Sequence, residues 1–149
     1  MANIGVFATI LNEAGQVLLV RQNYNQRLWT QPGGRVEPNE SPLDALHREV
    51  MEETGHIVEI ERFVGAYSRT YDDDLVLAFL ARARERRPWQ PDGEIAEIGV
   101  FAPDRLPEPM SARTRLRIAD ATAGHSGLVR VFDAPDRLLA SFPDRLSSL

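Results

Sequence analysis

Three glutamates in one short stretch are the residues of this chain best placed to do chemistry. Glu49, Glu52 and Glu53 stand at i, i+3 and i+4. On a helix, at about 100° per residue, they fall within an arc of about 100°. Like charges at those spacings cost a free helix roughly 0.2–0.5 kcal/mol per pair, and carboxylates near a helix C-terminus meet the unfavourable end of its dipole. A bound divalent cation reverses both penalties, and an all-oxygen donor set suits a hard ion such as Mg²⁺ or Mn²⁺. Taken alone, the triad is also what a solvated acidic face looks like. Two neighbours make it more specific. Pro32-Gly33-Gly34 precedes the stretch, and glycine lets backbone carbonyls and amides approach a ligand closely. Glu40 lies eight residues ahead of Arg48, and an arginine beside four carboxylates can pair with one and orient the others.

These residues follow a known spacing. Gly34, five residues, Glu40, seven residues, then Arg48-Glu49-Val50-Met51-Glu52-Glu53-Thr54-Gly55 resemble the Nudix box, Gly-x5-Glu-x7-Arg-Glu-apolar-x-Glu-Glu-x-Gly-apolar. The one departure is His56 at the final apolar position, with Ile57 directly after it. Leu28-Trp29-Thr30-Gln31-Pro32-Gly33-Gly34 is similar to the family's Trp-x-Leu-Pro-Gly-Gly lead-in, with Gln31 in place of Leu. Glu94 to Pro107 is similar to a later strand of the family, with Val100 where a Trp is usual. The likeness covers about residues 2–123 and leaves 124–149 unassigned.

The resemblance implies a Mg²⁺- or Mn²⁺-dependent hydrolase. Its substrate would be a nucleoside diphosphate linked to another moiety, such as ADP-ribose or an NTP, cut at a phosphoanhydride bond. It implies that Glu49, Glu52 and Glu53 hold the metal with help from the Gly33 carbonyl, with Glu40 a weaker ligand candidate. Arg48 would orient carboxylates, and Glu53 or Glu94 would be the general base. Gly34, Glu40 and Gly55 would shape the box. Two other functions share the pattern: a non-catalytic Nudix-fold nucleotide-binding or regulatory module, and an RNA 5′-end pyrophosphohydrolase. Loss of box carboxylates would favour the first, and here all are present. The second fits poorly with an acidic chain of net charge -5, since nucleic-acid affinity comes largely from basic residues on phosphates.

The substrate pocket is less legible. Arg21, Arg27 and Arg69 could meet phosphate or ribose, and Tyr24, Trp29, Tyr67, Tyr71 and Trp89 could stack on a base. Of these, Arg21, Arg27 and Tyr71 are the substrate candidates. Asp72-Asp73-Asp74 reads as a solvated loop, and His47, His56 and His125 have no ligand spacing.

The positioning elements can be read from pattern. Ile4–Leu11 and Val17–Arg21, joined by Asn12-Glu13-Ala14-Gly15, read as a β-hairpin. Leu28–Thr30 reads as a short strand ended by Pro32-Gly33-Gly34. The box helix is predicted from Ser41 as N-cap, with Pro42 first, Asp44 in the first turn and Gly55 as the stop. Leu43, Leu46 and Val50 would be its core stripe. Strands are expected at 57–69, 75–83, 95–101 and 128–132, with a loop at 84–93 and a second helix from Ser111 to Ala123. Pro-Asp-Arg-Leu recurs from Pro103, Pro135 and Pro143 at irregular spacing and reads as turns or helix starts. The sum is an α/β fold: a Nudix-type α/β/α sandwich with a mixed central sheet, its two helices on opposite sides.

Composition bounds the rest. A chain of 149 residues suits one domain, 1–149. It has no cysteine, which excludes disulfides and cysteine nucleophiles, and every basic residue is Arg. No leader pattern or 18-residue apolar run is present. A cytoplasmic protein acting on a small-molecule nucleotide is expected, without membrane or nucleic-acid partners, and a homodimer is left open.

Overall fold

In the computed structural model, which describes residues 2–143, β1 (Asn3–Leu11) alternates its side chains between two cores. Val6, Ala8 and Ile10 point to one face and pack with Ala45, Leu46 and Val50 of α1 (Pro42–Thr54). Phe7 and Leu11 point to the other, beside Ala121 and Leu116 of α2 (Ala112–Thr122). That period of two lets one strand serve two helices.

The other strands are β2 (Val17–Gln22), β3 (Trp29–Thr30), β4 (Gly33–Arg35), β5 (His56–Arg69), β6 (Asp74–Arg86), β7 (Ile95–Phe101), β8 (Leu128–Ala134) and β9 (Arg137–Phe142). The sheet order is β3-β2-β1-β6-β5-β8-β9, with β4 on β1 and β7 on β2. Pairing is parallel for β1/β6 and β5/β8 and antiparallel elsewhere among these strands. The sheet is therefore mixed, with a helix on each face, as the sequence predicted.

Several expectations need correction. The β1–β2 hairpin exists only at its turn, where Ile10 meets Leu18 and Leu11 meets Val17. Beyond that the strands part, β1 to β6 and β4, and β2 to β7. Gly33-Gly34 does not end a strand but forms part of β4. β6 runs on to Arg86 through the polar stretch expected to be loop, because Glu59 and Glu61 of β5 pair across to Arg84 and Arg82. Leu43 is exposed, and Ala45 takes its place in the core stripe of α1. The second Pro-Asp-Arg-Leu turns β8 into β9, a strand not foreseen; the third continues beyond the described residues.

Ser41 caps α1 as predicted, accepting from the Asp44 amide, and Ser111, expected as the first helical residue, is instead the cap of α2, accepting from the Thr114 amide. α2 is pinned by a buried network. Asp120 accepts from the Tyr67 hydroxyl at 2.7 Å and pairs with both prongs of Arg130 at 2.7 and 2.8 Å. No helix among the described residues is long and apolar enough to cross a membrane.

Candidate active site

β4 lies flat against β1, with Gly33 opposite Phe7 and Gly34 opposite Val6. There is no room there for a side chain. A Cβ on Gly33 would sit 2.1 Å from the Val6 carbonyl oxygen, and one on Gly34 would sit 2.5 Å from the Glu49 carboxyl carbon. The two glycines thus seat two carboxylates of α1. Glu49 lies against the Gly34 backbone, and Glu53 accepts a 2.9 Å hydrogen bond from the Gly33 amide. Glu49 and Glu53, four residues apart, share the helix face turned toward β4. Glu52 lies to the side, 59% exposed where Glu49 is 15% exposed.

Arg48 ties the other carboxylates together. It grips Glu40 with two prongs, at 2.7 and 3.0 Å, and donates to Glu49 at 2.9 Å, to Glu52 at 3.4 Å and to the Arg35 carbonyl at 3.2 Å. Both Glu40 oxygens are engaged by Arg48, and one also accepts from the Glu37 amide. Those contacts hold the Glu40 carboxyl below its usual range, the Arg48 bond foremost. Glu40 is thereby the anchor of Arg48.

The wall facing Glu53 comes from two loops. The Asn23 amide donates to the Glu94 carbonyl at 2.8 Å, joining the β2–β3 loop to the start of β7. Tyr24 on that loop has its hydroxyl pushed up by burial and then by the charges of Glu53 and Glu94. Trp89 donates its ring N–H to the Glu52 carbonyl at 3.0 Å, closing the C-terminal end of the helix. Glu94, expected near the box, is among its electrostatic neighbours. Arg21 donates its Nε to the Arg27 backbone carbonyl at 3.0 Å and pairs with Glu97, while the Arg27 side chain donates to the Asn23 side-chain oxygen at 3.0 Å. Tyr71 sits at the β5–β6 turn between the guanidinium groups of Arg69 and Arg113, at 5.7 and 6.0 Å from its ring centre, and not at the box.

Residues 1–121 match the model of the NUDIX domain. The chain belongs to this family. It is 33% identical over 144 residues to a protein of Bacillus subtilis (strain 168) provisionally named an 8-oxo-dGTP diphosphatase, covering 91% of this chain and 96% of that one. A shorter match, 49% over 53 residues, is to an RNA pyrophosphohydrolase of Pseudomonas putida (strain GB-1), covering 36% of this chain and 31% of that protein. Among solved structures, an ADP-ribose pyrophosphatase of Streptococcus suis 89-1591 superposes with a TM-score of 0.71 at 27% identity, over 89% of this chain and 100% of that one.

In this Nudix hydrolase the charge around Glu53 is out of balance. Burial pushes its carboxyl up to about 8; the Gly33 amide opposes the shift, and the charges of Glu49, Glu94 and Glu52 add to it. Burial also raises Glu49, against the pull of Arg48. Among the described residues no three acidic or imidazole side chains already stand as a ligand cluster, because Glu49 and Glu52 are turned onto Arg48 and Glu53 onto Gly33. The donor set still fits a hard cation: it is all oxygen, it carries excess negative charge, and Arg48 is already matched by Glu40.

The shifted Glu53 fixes a pH dependence. Its folded value lies above the unfolded one near 4.5. Its contribution to stability is thus complete below about pH 4.5 and is lost as pH rises through about 8. Without metal, the melting temperature of wild type is expected to fall across that window more steeply than that of Glu53→Gln, a difference on the order of a few kcal/mol. Parallel melting curves for the two proteins from pH 5 to 8.5, with chelator present, would contradict the buried-carboxylate account.

The glycine pair gives a second expectation. Gly34→Ala meets the end of a flexible glutamate, so the fold should survive while the Glu49 carboxylate is displaced. A displacement of this size is expected to lower kcat/KM by roughly 10–10²-fold. Gly33→Ala meets the Val6 backbone instead and should lower the melting temperature as well. Kinetics and melts of both variants check this; wild-type turnover by Gly34→Ala would show that Glu49 need not sit where it does.

Proposed function

We propose that this Nudix hydrolase cleaves a phosphoanhydride bond of a small nucleotide, using Mg²⁺ or Mn²⁺ held by Glu49, Glu52 and Glu53 with the Gly33 carbonyl. The observation that carries the reading is the Glu53 carboxylate, partly buried beside Glu49 and under the charge of Glu94, an arrangement that gains stability when a cation joins it. When bound, such an ion neutralises phosphate oxygens and lowers the pKa of water. The chain's own residues do the rest. Arg48, fixed by Glu40, holds Glu49 and Glu52 on one side of the site. Glu53, whose proton affinity is raised to near neutrality, is the better placed general base, because a base works best with a pKa near the operating pH. Tyr24 and the Glu94 loop close the site around it.

Supporting this are the intact box and the full-length likeness to a protein named for nucleotide diphosphatase activity. The test is a panel of nucleoside triphosphates, oxidised nucleoside triphosphates, ADP-ribose, sugar nucleotides and a 5′-triphosphorylated RNA, each with Mg²⁺, Mn²⁺ or chelator, with the products identified. Metal-dependent release of a nucleoside monophosphate from at least one is expected. Turnover confined to 5′-triphosphorylated RNA would transfer the function to RNA ends, and no turnover on any would remove the hydrolytic reading of this substrate class.

A further inference from the structure

The loop between β6 and β7 is fastened at both ends. At the α1 end, the Trp89 ring N–H donates to the Glu52 carbonyl at 3.0 Å and the Arg87 amide to the Gly55 carbonyl at 2.8 Å. At the other end, Ile95 is buried in the core. Just ahead of it, Asp92 turns its side chain along the backbone. One oxygen, Oδ1, accepts from the Glu94 amide and from the Ile95 amide, both at 2.8 Å. The Asp92 amide donates to the Ile95 carbonyl at 2.9 Å. The Glu94 carbonyl accepts from the Asn23 amide at 2.8 Å, so both backbone polar groups of Glu94 are taken.

Asn23, on the β2–β3 loop, grips the same segment a second time. Its side-chain amide donates to the Asp92 carbonyl at 3.0 Å, and its side-chain oxygen accepts from the Arg27 guanidinium at 3.0 Å. Arg27 is itself held in a left-handed conformation, φ 54°, which a non-glycine residue keeps only where its surroundings impose it. Asp92 and Glu94 are exposed, and exposed loops ordinarily move. What this set of contacts fixes is a carboxylate whose charge reaches Glu53, Glu49 and Tyr24. Left free, an exposed glutamate swings away from other carboxylates. Holding it among them opposes Coulomb repulsion, and a divalent cation between them turns that repulsion into attraction.

We propose that Asp92 and Asn23 are positioning residues: they latch the β2–β3 and β6–β7 loops together, keep the Glu94 carboxylate beside Glu53, and through Glu94 raise the affinity of the site for a divalent cation. The proposal rests on the metal site proposed above. Neither residue touches the ion; both act on the backbone that carries Glu94. Asp92 contributes an acceptor oxygen to two amides, a role in which its charge is dispensable and an asparagine suffices. Asn23 contributes a donor and an acceptor at once, so an alanine there unties the Asp92 carbonyl and Arg27 together. Outer-shell partners that aim a ligand are worth roughly 10–100-fold in metal affinity or activity, and a latch acting through the backbone belongs at the low end.

The test is titration of the intact protein with Mn²⁺ alone, free Mn²⁺ being read by its electron paramagnetic resonance signal, which needs no nucleotide and no turnover. Asp92→Ala is expected to weaken Mn²⁺ binding by about tenfold, Asn23→Ala to weaken it in the same direction, and Asp92→Asn to bind close to wild type. Glu94→Gln should weaken it at least as much as Asp92→Ala. The double variant Asp92→Ala/Glu94→Gln should then bind like Glu94→Gln alone, because the latch acts only through that carboxylate. A general loss of structure would instead add its full effect in the double variant. That additivity, or wild-type affinity in Asp92→Ala or Glu94→Gln, overturns the latch while leaving the metal site standing. Wild type that takes up no Mn²⁺ removes the metal site and the latch with it.

Discussion

Glu53→Gln is expected to lower kcat by about 10²–10⁴-fold, the scale lost with a general base, and to change KM much less. The substitution is nearly isosteric. The amide oxygen of Gln can still accept from the Gly33 N–H, 2.9 Å away in the wild type, so the β4–α1 contact survives. What disappears is a negative charge and a proton acceptor in a partly buried place where either counts heavily, since low dielectric strengthens each interaction. Glu49→Gln should also be slow, through loss of an oxygen donor beside Gly34. Glu94→Gln discriminates the two candidate bases: if it costs more than Glu53→Gln, the proton goes to Glu94. Steady-state kinetics on the best substrate from the panel, with melting curves as a control for folding, make the measurement. Turnover by Glu53→Gln within a few fold of wild type would take Glu53 out of the chemistry.

The part of the site that could be read in the sequence is the part built from local spacing. Glu40, Arg48, Glu49, Glu52 and Glu53 are neighbours in space because one helix and its approach loop make them so. The caps at Ser41 and Gly55 announce where that helix begins and ends. What the sequence could not reveal is which carboxylates turn inward. Glu49 and Glu53 do and Glu52 does not, and that depends on β4, a three-residue strand that read as the end of a turn. The cleft of about 260 Å³ lined by Phe7, Gly34, Asp74 and Arg117 is a harder case. It combines β1, the start of β6 and α2, elements far apart in the chain, and no short-range pattern links Phe7, Asp74 and Arg117. Arg117 sits in Arg113-Thr114-Arg115-Leu116-Arg117, which reads as a solvated basic face. A signal existed in retrospect: Thr114, Arg117, Asp120 and Ala121 share the i, i+3, i+4 face of α2 and are all buried, so three polar residues there needed partners.

Mg²⁺ or Mn²⁺ is expected to raise the melting temperature of wild type by about 5–10 °C when free metal is 100-fold above its Kd. A ligand bound by the folded state alone stabilises it at that ratio by about 2.7 kcal/mol, and for a domain of this size each kcal/mol shifts melting by about 2–4 °C. The source of the gain is repulsion already built into the fold: Glu49 and Glu53 face β4 together, and α1 carries no basic residue in its last turn to offset the helix dipole. Glu53→Gln removes one of those charges. It should melt higher than wild type with chelator near pH 8, where Glu53 is losing its proton, and respond less to metal. Arg48→Ala should do the opposite in the absence of metal. It frees Glu40 from its two-pronged partner and leaves Glu49 and Glu52 without the cation that bridges them, so it should melt lower, while its Glu49 and Glu53 oxygens remain available and its response to metal persists. Melts of the three proteins with chelator and with each metal separate these cases. If wild type and Glu53→Gln rise equally with metal, the ion binds away from α1, and the repulsion at its C-terminal end must be relieved by something other than a divalent cation.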